Sequence, residues 1–140
     1  MSKDWVKDIN KMQTKYGVHD WMKKASAHQK LEYLKFRAEF LKEELTELDN
    51  AIYHADSEEV VDALIDLCVV AIGTLDSFQV DGHKAWNEVL KANMNKQVGV
   101  KEGRPNPLGL PDMIKKPDWK GPNHEGNTGR LDEFLKIKNK

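Results

Sequence analysis

The segment EELTE, residues 43–47, carries three carboxylates, and a second acidic series, Glu59, Asp62 and Asp66, follows it in EVVDALID. Carboxylates in such groups can coordinate a hard cation, share a proton, or simply face water. At about 100° per helical residue, Glu43 and Glu47 fall within roughly 40° of each other, and Glu44 within roughly 60° of Glu47. Glu59, Asp62 and Asp66 stand at i, i+3 and i+7 and share a stripe roughly 60° wide. A solvated helix face accounts for an isolated triplet such as Glu43, Glu44 and Glu47. Glu59 has its own ordinary explanation, because an acid in a first helical turn interacts favourably with the helix dipole. Asp62 and Asp66 have neither excuse. They interrupt VVDALIDLCVVAIG, whose other residues are all apolar or small, and an ionised carboxylate in a dry interior is costly unless it is paired or bound to a metal. A neutral, protonated Asp or an Asp–Lys pair is the bland alternative.

The elements that must position these acids read as helices. Trp5, Ile9, Met12 and Tyr16 are spaced by three or four, which predicts a first helix over 5–16 with Gly17 as its stop. A second runs from about Ala27 into AIYHA, and its residues Leu31, Leu34, Ala38, Leu41, Leu45, Leu48 and Ile52 form one apolar stripe. The glutamates point away from that stripe, on the side shared by Tyr33, Phe36 and Phe40, so this helix is expected to pack on two faces. Asp56 and Ser57 supply N-cap chemistry for a third helix running to about Phe78. VDGH breaks it, and a fourth, roughly 84–97, is expected to bury Trp86, Val89, Leu90 and Met94. β-Branched alternation is missing, so the fold class is all-α: an antiparallel bundle of about four core helices.

The connection HADS is short enough to make the second and third helices an αα-hairpin. Glu44 and Glu47 are then expected to face Glu59 and Asp62. Four carboxylates converging in an apolar groove repel strongly unless cations lie between them. An all-oxygen ligand set suits Mg²⁺, with Mn²⁺ as a substitute, and two-metal phosphate chemistry is the natural employment of such a site.

EELTE followed one short turn later by EVVD resembles the EExxE…ExxD signature of the MazG-like all-α nucleoside triphosphate pyrophosphohydrolases, a superfamily that also includes phosphoribosyl-ATP pyrophosphohydrolase and the dimeric dUTPases. DALIDLCVVAIGTL is similar to the family's second core helix, and EVLKANMNK to the helix after it; the likeness covers about residues 30–100. The resemblance implies that Glu44, Glu47, Glu59 and Asp62 hold Mg²⁺ and that Glu43 orients or deprotonates the attacking water. It implies attack at the α-phosphorus of a (deoxy)nucleoside triphosphate, giving a nucleoside monophosphate and pyrophosphate. Asn93 is the candidate sugar or base contact and Lys96 the candidate phosphate contact, one turn apart. Asp66 is either a further ligand or a residue orienting them, and Lys101 and Arg104 are more distant phosphate candidates. Family members commonly form homodimers or homotetramers. Such assembly would cover both the leucine stripe and the Phe36/Phe40 face, which one hairpin cannot.

The rest of the chain bounds the reading. All five prolines lie between Pro105 and Pro122 and six of nine glycines between Gly99 and Gly129. Residues 1–97 therefore read as the helical domain and 98–140 as an irregular Pro/Gly-rich arm, ended by a short amphipathic segment from Arg130. Within the arm, Trp119 is read as an anchor onto a neighbouring subunit. With 22 basic and 23 acidic side chains, nothing suggests a nucleic-acid partner. No apolar run approaches the ~20 residues that span a bilayer, and the single cysteine, Cys68, reads as a buried small hydrophobe rather than half of a disulfide. A cytoplasmic location is the expectation. His19, His28, His54, His83 and His124 lack ligand spacing and read as surface residues. The competing reading is a non-enzymatic helical adaptor with solvated acids. A further alternative within the enzyme class is a pyrophosphohydrolase of a modified nucleotide such as phosphoribosyl-ATP.

Overall fold

The computed structural model describes residues 2–104, 106, 108–109 and 112–135. These divide into two compact units, one running to Gly82 and resuming at Thr128, the other spanning His83–Asn127. The described residues are predominantly helical, as the all-α reading expects, with one short two-stranded ribbon among them.

In the first unit α1 (Trp5–Lys15) begins where the Asp4 carboxylate accepts the Lys7 N–H at 3.0 Å. Gly17, in the left-handed region at φ 73°, does not merely stop α1. It caps a further helix, α2 (Val18–Lys24), which periodicity overlooked because two turns with one buried residue, Met22, leave too little pattern to read. α3 (Ala27–Tyr53) opens on a full capping box: the Ser26 hydroxyl accepts the Gln29 N–H at 3.1 Å, and Gln29 Oε1 accepts the Ser26 N–H at 2.8 Å. A tight turn with Ala55 at φ 53° reverses the chain, and Asp56 caps α4 (Ser57–Ser77) by accepting the Glu59 N–H at 3.1 Å.

The α3–α4 hairpin packs on a different face from the one its leucines suggest. The residues of α3 directed at α4 are Tyr33, Arg37 and Glu44, with Ala51 nearer the turn, and α4 answers with small side chains, Ala63, Gly73 and Ser77, together with Val70. Small residues let the two backbones approach. At Gly73 a Cβ would lie 2.6 Å from an Arg37 guanidinium nitrogen. That guanidinium donates from Nε to Thr74 Oγ1 and from Nη2 to the Val70 carbonyl, both at 2.9 Å. Ser77, fully buried, accepts from Gln13 Nε2 at 2.6 Å and lies 2.8 Å from the Tyr33 hydroxyl, so α1 is stitched to the same seam. The leucine stripe is only partly covered: Leu31, Leu34, Leu41 and Leu48 are half-buried, whereas Leu45 is 50% and Ile52 61% exposed, and Val61, Leu64 and Ile65 of α4 are open as well.

Phe78, completely buried, sits in an aromatic series from Trp21 through Tyr33 to Phe78 and Phe134, with centroids 5.4–5.7 Å apart. The last contact comes from Phe134, the C-cap of a 3-10 helix, Gly129–Glu133, the short helical end expected from Arg130 in tighter form. Arg130 N–H donates to the Phe78 carbonyl at 2.7 Å, and Glu133 pairs with the buried Lys30. Gly129, at φ 53°, lies so close to the Phe78 carbonyl that no side chain fits there. The part of the expected amphipathic end beyond Leu135 lies outside the described residues.

The second unit is built on α5 (Gly82–Met94), of which His83 onward belongs to it. Its buried residue is Ala92, not the expected Trp86, Val89, Leu90 and Met94, which are 68%, 39%, 45% and 76% exposed. The reason is Trp119. Its indole N–H donates to the Ala92 carbonyl at 2.6 Å and draws the arm over that face of the helix. Trp119 thus anchors the arm within its own chain. β1 (Gln97–Val98) and β2 (Met113–Ile114) pair antiparallel, and Gly99 beside them leaves room for Ile114. Arg104 grips Asp112 through both Nε and Nη2, which commits it to the ribbon rather than to a phosphate.

Candidate metal centre

Glu44 and Asp66 stand equidistant in sequence from Ala55 at the hairpin turn, as do Tyr33 and Ser77, and Arg37 and Gly73. The same antiparallel register that seats Tyr33 on Ser77 therefore brings the two carboxylates together across the seam. Glu47, one turn beyond Glu44, joins them: one oxygen from each of Glu44, Glu47 and Asp66 lies within 4.8 Å of the others. Glu44 is buried, Asp66 half-buried and Glu47 exposed, so the cluster opens from the helix interface toward solvent.

Its electrostatics are those of an acid cluster short of positive charge. The Glu44 pKa is pushed up to about 7, first by burial and then by the Glu47 carboxyl, as hydrogen-bond partner and as like charge, with Asp66 and Asp62 adding to the repulsion. Asp66 is also raised, by burial first, then by the charges of Asp62 and Glu47 and a hydrogen bond with Asp62. Glu44 Oε2 is buried without a hydrogen-bond partner. An orphaned carboxylate oxygen is costly in an interior, and a hard divalent cation satisfies it. The donors are all oxygens, as Mg²⁺ and Mn²⁺ prefer, so these residues fit such an ion.

The structure thus brings together Glu44, Glu47 and Asp66, with Asp62 beside Asp66. It does not bring Glu59 to them: Glu59 is exposed in the first turn of α4, its backbone N–H held by the Asp56 cap. Glu43 is exposed on α3 next to Glu44, outside the trio. Asp66 is the residue to which spacing assigned no definite role, although equal distance from the turn marks it as the partner of Glu44. Asn93 and Lys96 belong to the second unit, where Asn93 is half-buried and the Lys96 ammonium lies 5.4 Å from the centre of the Trp119 ring. Two residues had no assigned part. Arg37 organises the seam below the cluster and was hidden by its unremarkable place among surface-type residues. His19 is paired with Asp76 at 3.0 Å and is not a free surface residue. Cys68 is half-buried and unpaired with another cysteine.

A helical hairpin whose facing carboxylates can hold a divalent ion has the donor set that metal-assisted hydrolysis of a phosphoanhydride would use. Residues 18–93, over half of the chain, match the family model described as Phosphoribosyl-ATP pyrophosphohydrolase. The chain belongs to that family, within the MazG-like all-α pyrophosphohydrolases, and is a pyrophosphohydrolase by class. No curated protein and no solved structure matches it. No helix among the described residues is long and apolar enough to cross a membrane.

Proposed function

We propose that this protein hydrolyses the α–β phosphoanhydride of a nucleoside 5′-triphosphate group, with Mg²⁺ held by Glu44, Glu47, Asp66 and Asp62. The observation that carries the proposal is the buried Glu44 carboxylate, orphaned at Oε2 and gathered with Glu47 and Asp66 in one hairpin seam. When bound, the ion supplies charge neutralisation for phosphate oxygens and lowers the pKa of water. The chain's own residues hold and orient. Glu44 and Asp66, fixed by helix packing on both sides, set the position of the site. Glu47, at its exposed edge, meets substrate first. Glu43, on the adjoining face of α3, orients the attacking water and accepts its proton. As the new bond forms between water oxygen and the α-phosphorus, the bond from the α-phosphorus to the bridging oxygen breaks, and that oxygen departs with the electron pair as part of pyrophosphate. Little covalent work falls to the protein, so charge placement and in-line geometry dominate.

Glu59 stays in the proposal only as an outer residue, reachable once an ion is bound. Asn93 and Lys96 serve as candidate contacts to sugar or base and to phosphate. The family description favours phosphoribosyl-ATP among substrates; an unmodified NTP or dNTP offers the same triphosphate and is the second reading. The open faces of α3 and α4, with Leu45, Ile52, Val61, Leu64 and Ile65 exposed, support a homodimer or homotetramer in which these helices complete a bundle. The proposed setting is the cytoplasm.

A panel of phosphoribosyl-ATP, NTPs and dNTPs with Mg²⁺, resolving pyrophosphate from orthophosphate, tests the reaction. Pyrophosphate with an equal amount of monophosphate supports it. Orthophosphate as first product, or no turnover of any member, refutes it.

A further inference from the structure

The second unit contains a cavity of about 480 Å³ that shares no residue with the carboxylate cluster. One wall is a single face of α5, where Glu88, Lys91, Ala92 and Asn95 follow at helical spacing. The other is the segment from Lys116 to Asn123, held to the helix at two points. Trp119 donates its indole N–H to the Ala92 carbonyl at 2.6 Å, and the Asn123 N–H reaches a Glu88 carboxylate oxygen at 3.4 Å. The Trp119 ring is therefore a fixed part of the wall. Its size places the cavity among those that hold small molecules, roughly 300–1,000 Å³.

Its charge is specific. Lys91, Lys116 and Lys120 line the cavity, and none of them has an ion-pair partner among the described residues. Two further ammonium groups, Lys115 and Lys96, lie 4.8 and 5.4 Å from the centre of the Trp119 ring. Against these stand Glu88 and Asp118. Among the residues that line the cavity, three ammonium groups stand against two carboxylates, which leaves a concave surface with a modest excess of positive charge. Asn123 adds a neutral donor, since its Oδ1 is occupied by the Glu125 N–H at 2.9 Å while its amide nitrogen has no partner among the described residues. Ammonium groups that line one cavity without ion-pair partners suit phosphate oxygens, to which charge-assisted hydrogen bonds are short and strong.

We propose that this cavity is a second binding site, one that takes a phosphate-bearing small molecule through Lys91, Lys116 and Lys120 and does so without a metal ion. Metal independence separates it from the carboxylate cluster, which repels phosphates unless a cation is present. The test is a titration of the full-length protein with inorganic pyrophosphate in excess chelator, followed by the ¹H–¹⁵N resonances of the four tryptophan indoles. Trp119→Phe identifies the Trp119 signal. That signal should move saturably, with half-saturation below about 1 mM, while the other indoles stay still. In the Lys116→Ala/Lys120→Ala double variant, half-saturation should rise by about tenfold or more, because charge-assisted hydrogen bonds are lost. The unchanged positions of the other indoles report that the variant is folded. Three results overturn the proposal: no saturable movement up to about 10 mM pyrophosphate, the same movement with sodium chloride at matched ionic strength, or a double variant that titrates like the wild type.

Discussion

Removing the Glu44 charge should stabilise the metal-free protein while abolishing its response to metal. The Glu44 carboxyl has an ordinary pKa of 4.5 and is pushed up to about 7 by burial and by Glu47, Asp66 and Asp62. Each unit of displacement is worth about 1.4 kcal/mol, so ionising this group in the folded chain costs about 3 kcal/mol. Below the unfolded value both states carry the proton, and nothing is lost. As pH rises through that value toward 7, only the unfolded state releases it, and metal-free stability falls; above about 7 the full cost is present. The raised Asp66 acts in the same direction. In Glu44→Gln that cost vanishes. At about pH 8 without metal the variant should be more stable by about 3 kcal/mol, a rise in melting temperature of roughly 10 °C for a chain of this size. Its stability should fall less steeply than that of the wild type over the same range, the remaining slope coming from Asp66. Adding Mg²⁺ should stabilise the wild type by mass action and leave the variant almost unmoved. The assay is thermal or denaturant unfolding across pH, with chelator or with Mg²⁺. A variant no more stable than wild type at high pH without metal, or one that keeps the full Mg²⁺ stabilisation, refutes the reasoning.

The site makes unequal demands on its acids. Asp66→Asn should lower Mg²⁺-dependent turnover by at least about a hundredfold, whereas Glu59→Gln, outside the trio, should lose about tenfold or less; paired kinetics across a Mg²⁺ titration decide between them. Gly129→Ala should destabilise the protein by about 1–3 kcal/mol, since it adds a methyl at a left-handed position against the Phe78 carbonyl, and urea denaturation reads the change. Sedimentation should give a mass well above the 16.1 kDa chain, and a clean monomer at assay concentrations would leave the open faces of α3 and α4 without their proposed cover.

The hairpin was legible because its signals are local. The apolar stripe carries α3 from about Ala27, Asp56 starts α4, and HADS is short enough to make the two helices a hairpin. The acid cluster was legible in outline, since Asp66 in an apolar run demands a partner. Its membership was harder to read. Glu59 is nearer the turn and completes a familiar motif, but the register set by Tyr33–Ser77 and Arg37–Gly73 pairs Glu44 with Asp66. Apolar periodicity failed where packing is governed by something other than apolar area. The α3–α4 seam closes on Ala63, Gly73 and Ser77 because small residues allow close approach, and its polar partners, Arg37 and Gln13, carry no hydrophobic signal at all. Trp86 fits a periodic stripe yet is exposed, because Trp119, from a distant loop, claims the Ala92 face instead. Contacts between segments far apart in sequence leave no local trace.

The central claim, that water attacks the α-phosphorus of a triphosphate at a site built from Glu44, Glu47 and Asp66, is tested most directly by hydrolysis in water labelled with heavy oxygen. Mass spectrometry then locates the label in the products. One labelled oxygen is expected in the monophosphate and none in pyrophosphate. Label in pyrophosphate, or in orthophosphate released first, would contradict it.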